Sequence, residues 1–535
     1  MAEDERIKVA QEWAAAWIER EEGGFEAELR QLEGLAPEVW AEIRKPLGIN
    51  DLADILETTI KKDRVNKIIH FLAAVLTYSD DSQVTVSNRG PSSTGKSYLP
   101  LEISSLYFPP SDVITLAYAS PTSFFHDAGM WDPLEKCYRV NLERKILVFV
   151  DQPHDELLRR LRPLLSHDQK ELTLKITDRR EKKGLRTKTV KIRGFPTVFF
   201  CTGSLKIDEQ EATRSFILSP EMSQEKIREA IYLKALRKGN PEEFKTLILS
   251  NPEIEFLRLR VLAIKHSGVE RIVVKNPEEV ASRFMSEMRG LRPRHVRDVE
   301  RIISLAQGLA LLNFWHRDRE DSTIFVSEED IEQAFTLYSE IAQAQELGLA
   351  PYLLALYQQV FEPLSGDQGE GLRREDILKR FYHIYGRVLP VFTLEREILP
   401  ALEAAGLIRK EPDPNDRRRT LIRVETFEKY IAQQCGVTPP SSKEAQNMEI
   451  QPHNEYTGKS ERQGTLPTPS KDSESTPHSR AIYLSPRKAC RECFTVLKQQ
   501  NRVRMSAAEP GGLCEYCGKE ANSRFKVWEA EPHEP

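Results

Sequence analysis

Residues 84–108 read "VTVSNRGPSSTGKSYLPLEISSLYF", and the reading of this stretch decides the fold. Gly90, Pro91, Ser92, Ser93, Thr94, Gly95, Lys96 and Ser97 fit the pattern G-x-x-x-x-G-K-[ST]. Such a loop works only where a strand enters it and a helix leaves it. Its backbone N–H groups then curl round phosphates, and the helix N-terminus adds a favourable dipole. Upstream, "QVTVSN" carries β-branched residues at alternate positions, as a short strand does. Downstream, Leu99, Ile103 and Leu106 recur at helical spacing. Pro100 falls near the first turn, where its missing N–H costs little. The expectation is a nucleotide site in which Lys96 meets the β- and γ-phosphates of ATP and Ser97 holds Mg²⁺. The bland alternative is a Gly/Ser-rich surface turn.

A nucleotide hydrolase needs further parts. "KILVFVDQ", residues 145–152, holds an apolar run from Ile146 to Val150 that predicts a buried central strand. Asp151 at its end is suited to the Mg²⁺ shell. Gln152 follows where a glutamate would polarise the attacking water; glutamine orients a water but is a poor base. Asp155 or Glu156 offers a substitute, or the chain acts as a nucleotide switch. "PTVFFCTGS", residues 196–204, predicts a third buried strand. Thr202 at its polar end would lie beside the γ-phosphate if this strand sits between the other two. Cys201 reads as a core thiol. Arg214 precedes a short apolar strand.

This order of pieces resembles an AAA+ ATPase, and within that class the helicase branch containing minichromosome maintenance (MCM) proteins and helicase-like ATPases of phages and mobile elements. Two stretches carry the closer likeness. "LTLKITDRREKKGLRTKTVKIRGFPTVFF" is similar to the pre-sensor hairpin that projects into the ring pore, and "RPRHVRDVERIISLAQGLALLNF" to a lid helix opening with a sensor arginine. The resemblance spans roughly residues 80–345. It implies Arg297, with Arg294 second, as that sensor, and Arg214 as an arginine finger reaching the neighbouring subunit of a homo-oligomeric ring. Gln152 departs from the family pattern.

Charge supports a nucleic-acid partner locally. The chain is net −5, yet residues 175–193 hold nine Lys/Arg against two acids. A hairpin tip with Arg179, Arg180, Lys182, Lys183 and Arg186 suits a phosphate backbone, single-stranded DNA in a pore being the expectation. A solvated charge run is the alternative.

At 535 residues several domains are expected. Residues 1–80 predict a helical N-terminal region, 81–221 an α/β P-loop AAA+ core with a parallel sheet and helices on both faces, and 222–345 a helical lid. Residues 346–432 predict three helices and a β-hairpin, a winged-helix domain. Its wing carries Arg417, Arg418 and Arg419, while Glu395, Glu397 and Glu403 oppose Arg396 on the third helix. Residues 433–482, rich in Pro, Ser and Thr, predict a disordered linker. In 483–535, Cys490-x₂-Cys493 and Cys514-x₂-Cys517 predict a structural four-thiolate zinc ribbon, which could also dock a partner protein. Two disulfides are the alternative. No run of 18 apolar residues and no signal-length apolar start are seen, so a cytoplasmic protein away from membranes is expected.

Three functions fit. The first is an ATPase that translocates on or unwinds DNA, such as a replicative helicase of a phage or mobile element. The second is an ATP-switched initiator, loader or regulator. The third is an ATPase acting on protein partners.

Overall fold

The computed structural model describes residues 25–117, 130–132, 137–151, 155–165, 167, 169–178, 186–203, 214–288, 290–365, 371–413, 420–425, 487–490, 503–513 and 520–529. The chain divides into two compact units, residues 1–447 and 448–535.

The first unit opens with helices α1 (Phe25–Glu33), α2 (Pro37–Ile43), α3 (Ile49–Glu57) and α4 (Arg64–Val75). The helical phase of Ile68, Ile69, Leu72 and Ala73 marks one apolar face of α4. In the fold every residue from Lys67 to Val75 is buried, because α4 lies against a sheet on one side and later helices on the other. Strand β1 (Thr85–Arg89) follows, and after the 90–97 loop helix α5 (Tyr98–Tyr107) buries Leu99, Ile103 and Leu106.

Strands β2 (Val113–Leu116), β5 (Ile146–Phe149), β8 (Thr197–Thr202) and β9 (Ser215–Leu218) join β1 in a five-stranded sheet of order β2-β5-β8-β1-β9. All four pairings are parallel. Period-two alternation sorts the side chains to two cores. Ile146, Val148 and Phe199 join the helical core, whereas Leu147, Phe149, Val198 and Phe200 face α6 (Asp155–Leu165) through Leu157 and Leu161. The alternation in "QVTVSN" suggests a half-buried strand, but all five residues of β1 are buried. Its polar members are satisfied internally: the Asn88 amide meets His70 Nε2 at 2.7 Å, and Arg89 Nε donates to Ser87 Oγ at 3.1 Å.

Strands β3 (Met130–Asp132), β4 (Cys137–Asn141), β6 (Glu171–Asp178) and β7 (Arg186–Arg193) make a second sheet, order β3-β4-β7-β6. The β6–β7 hairpin was legible in sequence. The β3–β4 pair was not, since three residues of "MWD" carry no periodicity.

Beyond β9 the chain is mainly helical: α7 (Gln224–Gly239), α8 (Pro241–Leu249), α9 (Pro252–Lys265), α10 (Pro277–Glu287), α11 (His295–Leu312) and α12 (Glu328–Leu347), with short strands β10 (Arg271–Val273), β11 (Arg319–Glu320) and β12 (Thr323–Phe325) in the order β10-β12-β11. The starts are written locally. Ser223, Asn240 and Asn251 cap α7, α8 and α9 by accepting from Lys226, Glu243 and Glu253 N–H, and Pro241 and Pro252 occupy the first turn. Ser327 and Asp330 form a capping box on α12, which ends at Gly348 with φ 61°. Helices α3, α4 and α11 share one core with the sheet, and α2 packs on α9. Residues 49–78 are therefore built into the α/β body.

A separate cluster forms around α13 (Pro351–Leu356), α14 (Arg374–Tyr385), α15 (Val391–Thr393) and α16 (Leu399–Ala404), with strands β13 (Ile408–Pro412) and β14 (Thr420–Val424) antiparallel. Leu372 bridges Ile422 through two backbone bonds of 2.7 and 3.0 Å. π-turns at Tyr357–Phe361 and Leu394–Ile398 each end two residues before a proline, Pro363 and Pro400, whose missing N–H breaks the i→i−4 ladder.

The second unit has β15 (Arg487–Cys490), β16 (Val503–Leu513) and β17 (Glu520–Glu529) in the antiparallel order β15-β17-β16. Among the described residues, no helix is long and apolar enough to cross a membrane.

Candidate nucleotide-binding site

The sheet order meets the condition set by the sequence: β8 lies between β1 and β5. Because all strands are parallel, the 90–97 loop, Asp151 and Thr202 leave the same edge of the sheet. Arg89 pairs with Thr202, and Gly90 N–H donates to Thr202 O at 3.3 Å, tying the start of the loop to the end of β8.

The loop then turns through two left-handed residues, Ser93 (φ 66°) and Gly95 (φ 91°). At Gly95 an added Cβ meets nothing within 4 Å, so the glycine is required by backbone angle and not by space. Thr94 Oγ1 donates to Pro91 O at 2.9 Å across the loop. Ser97 caps α5 without a side-chain bond to the helix. The carboxylate of exposed Asp151, just past β5, and the Ser97 hydroxyl are a hard-oxygen set of the kind Mg²⁺ takes.

Cys201 links these pieces. Its thiol donates to Lys96 O at 3.5 Å, and burial pushes its pKa up to about 12. Lys96 lowers that pKa and Asp151 raises it, so both charges act on the same buried sulfur. Behind the loop, His70 Nδ1 faces Asn66 O at 2.7 Å and Nε2 faces Asn88. A carbonyl only accepts, so Nδ1 carries the proton. Burial lowers the His70 pKa to about 4. His70, Asn88 and fully buried Arg89 were not singled out by sequence; the polar run Ser87-Asn88-Arg89 ending an otherwise β-branched strand was the available signal.

The arginines lie elsewhere. Ser215 pairs with Thr85 at the start of β1, so Arg214 stands at the sheet edge opposite the loop, about 13 Å of strand away. Arg301 Nη2 donates to Ser215 O at 2.7 Å, which brings the first turns of α11 to that same edge. There Arg294 is committed to Asp298 (3.1 Å) and Glu346 O (2.8 Å). Arg297, one turn before Arg301, is part-exposed and meets Glu300 at 3.4 Å. Neither Arg214 nor Arg297 is brought to the loop of its own chain.

Of the basic hairpin, the strands stand as β6 and β7. Two cations at its base meet acids, Lys191 with Glu171 at 3.5 Å and Arg193 with Glu143 at 3.1 Å. Arg186 opens β7 opposite Asp178. Arg179, Arg180, Lys182 and Lys183 lie outside the described residues, as do Gln152, Arg417, Arg418 and Arg419. Two third-helix acids are paired, Glu395 with Arg374 and Glu403 with Lys410 at 2.8 Å.

Cys490 ends β15; Cys493, Cys514 and Cys517 lie outside the described residues. β15 runs antiparallel to β17, toward the end where β16 turns into β17, and residues 514–519 form that connection. Cys490 at the end of β15 and Leu513 at the end of β16 thus lie toward one end of the sheet. Among the described residues no group of three or more His, Cys, Asp or Glu could hold a metal.

Together the parallel sheet, its strand order and the loop geometry fit an α/β P-loop core. No protein-family model matches the chain, and no curated protein matches it. Among solved structures it is similar to a full-length MCM homolog from Methanopyrus kandleri at 13% identity and TM-score 0.34, covering 57% of this chain and 61% of that one. It is also similar to the NrS-1 C-terminal region at 12% identity and TM-score 0.24, covering 71% and 78%. A third likeness is to the Aeropyrum pernix ORC1 protein in complex with DNA, at 13% identity and TM-score 0.20, covering 71% and 95%. The chain spans about three fifths of the MCM homolog's length. At these scores the likeness carries no functional argument.

Proposed function

We infer that the chain is an oligomeric AAA+ ATPase that translocates on or unwinds DNA. The observation that carries this is the common sheet edge shared by Gly90–Ser97, Asp151 and Thr202, with Arg214 and Arg297 at the opposite edge. Lys96 and Ser97 would hold ATP, and Ser97 with Asp151 would hold Mg²⁺, Lys96 and the metal dispersing charge on the transferred phosphoryl group. Arginines that cannot reach their own loop are suited to a neighbouring copy's. The tip of the β6–β7 hairpin is the DNA-contacting element, and the 346–432 unit is a winged helix whose 414–419 wing adds phosphate contacts. Zinc on Cys490, Cys493, Cys514 and Cys517 would stabilise the second unit.

The test is steady-state ATP hydrolysis with and without single-stranded DNA for the wild type, Lys96→Ala and Arg214→Ala. DNA-stimulated turnover abolished by both changes is expected. An ATP-switched DNA-binding initiator is the second reading, favoured by Gln152 after Asp151; tight ATP binding with negligible turnover would establish it.

A further inference from the structure

The helical unit around α13–α16 borders the phosphate loop. A cavity of about 240 Å³ has Pro91 and Gly203 on one wall and Tyr352, Phe381, Arg387 and Glu397 on the other. Pro91 is the second residue of the loop, and Gly203 follows Thr202, so this is the side at which a terminal phosphate would project. The cavity holds polar groups that no described residue satisfies. Tyr352 Oη is buried with no hydrogen-bond partner among the described residues. Arg387 is exposed, stacks at 5.7 Å on Phe381, and makes no ion pair among the described residues. The lid arginines, by contrast, are held at the far edge of the sheet.

We propose that Arg387 binds the terminal phosphate of a nucleoside triphosphate held by the same chain, making the α13–α16 unit a reader of triphosphate against diphosphate. This rests on the phosphate-loop reading above. A guanidinium offers a planar fork to phosphate oxygens, and a diphosphate does not extend to it. Glu397 acts electrostatically on Tyr352 in the same cavity. Among the described residues that line the cavity, removing Arg387 would leave Glu397 as the one formal charge, which deepens the loss.

The experiment is displacement of a fluorescent ADP from the full chain, with Mg²⁺, by ADP or by a non-hydrolysable ATP analogue. In Arg387→Ala the triphosphate analogue should bind at least about tenfold more weakly, the scale of one charge-assisted hydrogen bond, while ADP stays within about twofold. Arg387→Lys should lose less, because it keeps the charge without the fork. Equal loss for both nucleotides, or none for either, overturns the proposal. Tighter triphosphate binding in Arg387→Ala also overturns it, since the unit would then obstruct the site. Lys96→Ala separates the two readings: if it binds both nucleotides as the wild type does, the phosphate loop itself has been misread, whatever Arg387 does.

Discussion

Replacing His70 by glutamine should remove a large part of the protein's acid sensitivity. His70 is fully buried beneath the phosphate loop, its ring 5.2 Å from that of Phe199, with one nitrogen on Asn66 O and the other on the Asn88 amide. Burial lowers its pKa from 6.5 to about 4. The folded state therefore binds fewer protons than the unfolded state between those values. Stability rises with pH across that window and is lost as pH falls through it. Between about pH 7.5 and about pH 5 the unfolded imidazole becomes almost fully protonated while the folded one stays neutral, a loss of about 2 kcal/mol. Urea unfolding of the wild type and His70→Gln at both pH values reads this directly. The variant should start less stable, having lost ring packing and a hydrogen bond, but should lose about 2 kcal/mol less on acidification. An identical acid loss in both proteins would refute the reasoning, because His70 would then not be the titrating group.

Gln345 is fully buried and completes the outer edge of β9, its amide donating to Ile217 O at 2.6 Å and accepting from Ile217 N–H at 3.0 Å. Gln345→Leu orphans both backbone groups and should cost about 2–5 kcal/mol in urea unfolding. Gly308 of α11 crosses α4 so closely that an added Cβ would stand 3.0 Å from Leu72 Cβ; Gly308→Val should destabilise by about 1–3 kcal/mol, against a small gain in helix propensity. Neutralising Lys182 and Lys183 to alanine should flatten the salt dependence of single-stranded DNA binding by a slope of about 1.4, and an unchanged slope would remove the hairpin from the DNA path. Metal analysis of the purified chain should give zinc that Cys514→Ser loses, with chelation unfolding the second unit.

What sequence made legible was what neighbouring residues decide. The loop context, the apolar strands and the helix starts at Ser223, Asn240 and Asn251 depend on a few adjacent positions. Periodicity shows that α4 has an apolar face but not which elements cover it, so residues 1–80 read as a region apart while α3 and α4 in fact share the core of the sheet and α11. The same limit hid His70 and Gln345, whose partners lie 18 and 128 residues away. Arg297 stood out by motif, yet Asp298 and Arg301 decide where its helix attaches, and they attach it to Ser215.

The clasp between Leu47 and Asn313 sets a demand on synthesis. Asn313 accepts from Leu47 N–H at 2.8 Å and donates to Leu47 O at 3.0 Å, across 266 residues. At about 5–20 residues per second, the N-terminal helices wait roughly 13–50 s on the ribosome for α11 to emerge. For that interval the sides of α3 and α4 that α11 covers stay open. Nascent-chain capture by a chaperone, or slow codons placed after residue 313, would be felt first in these helices.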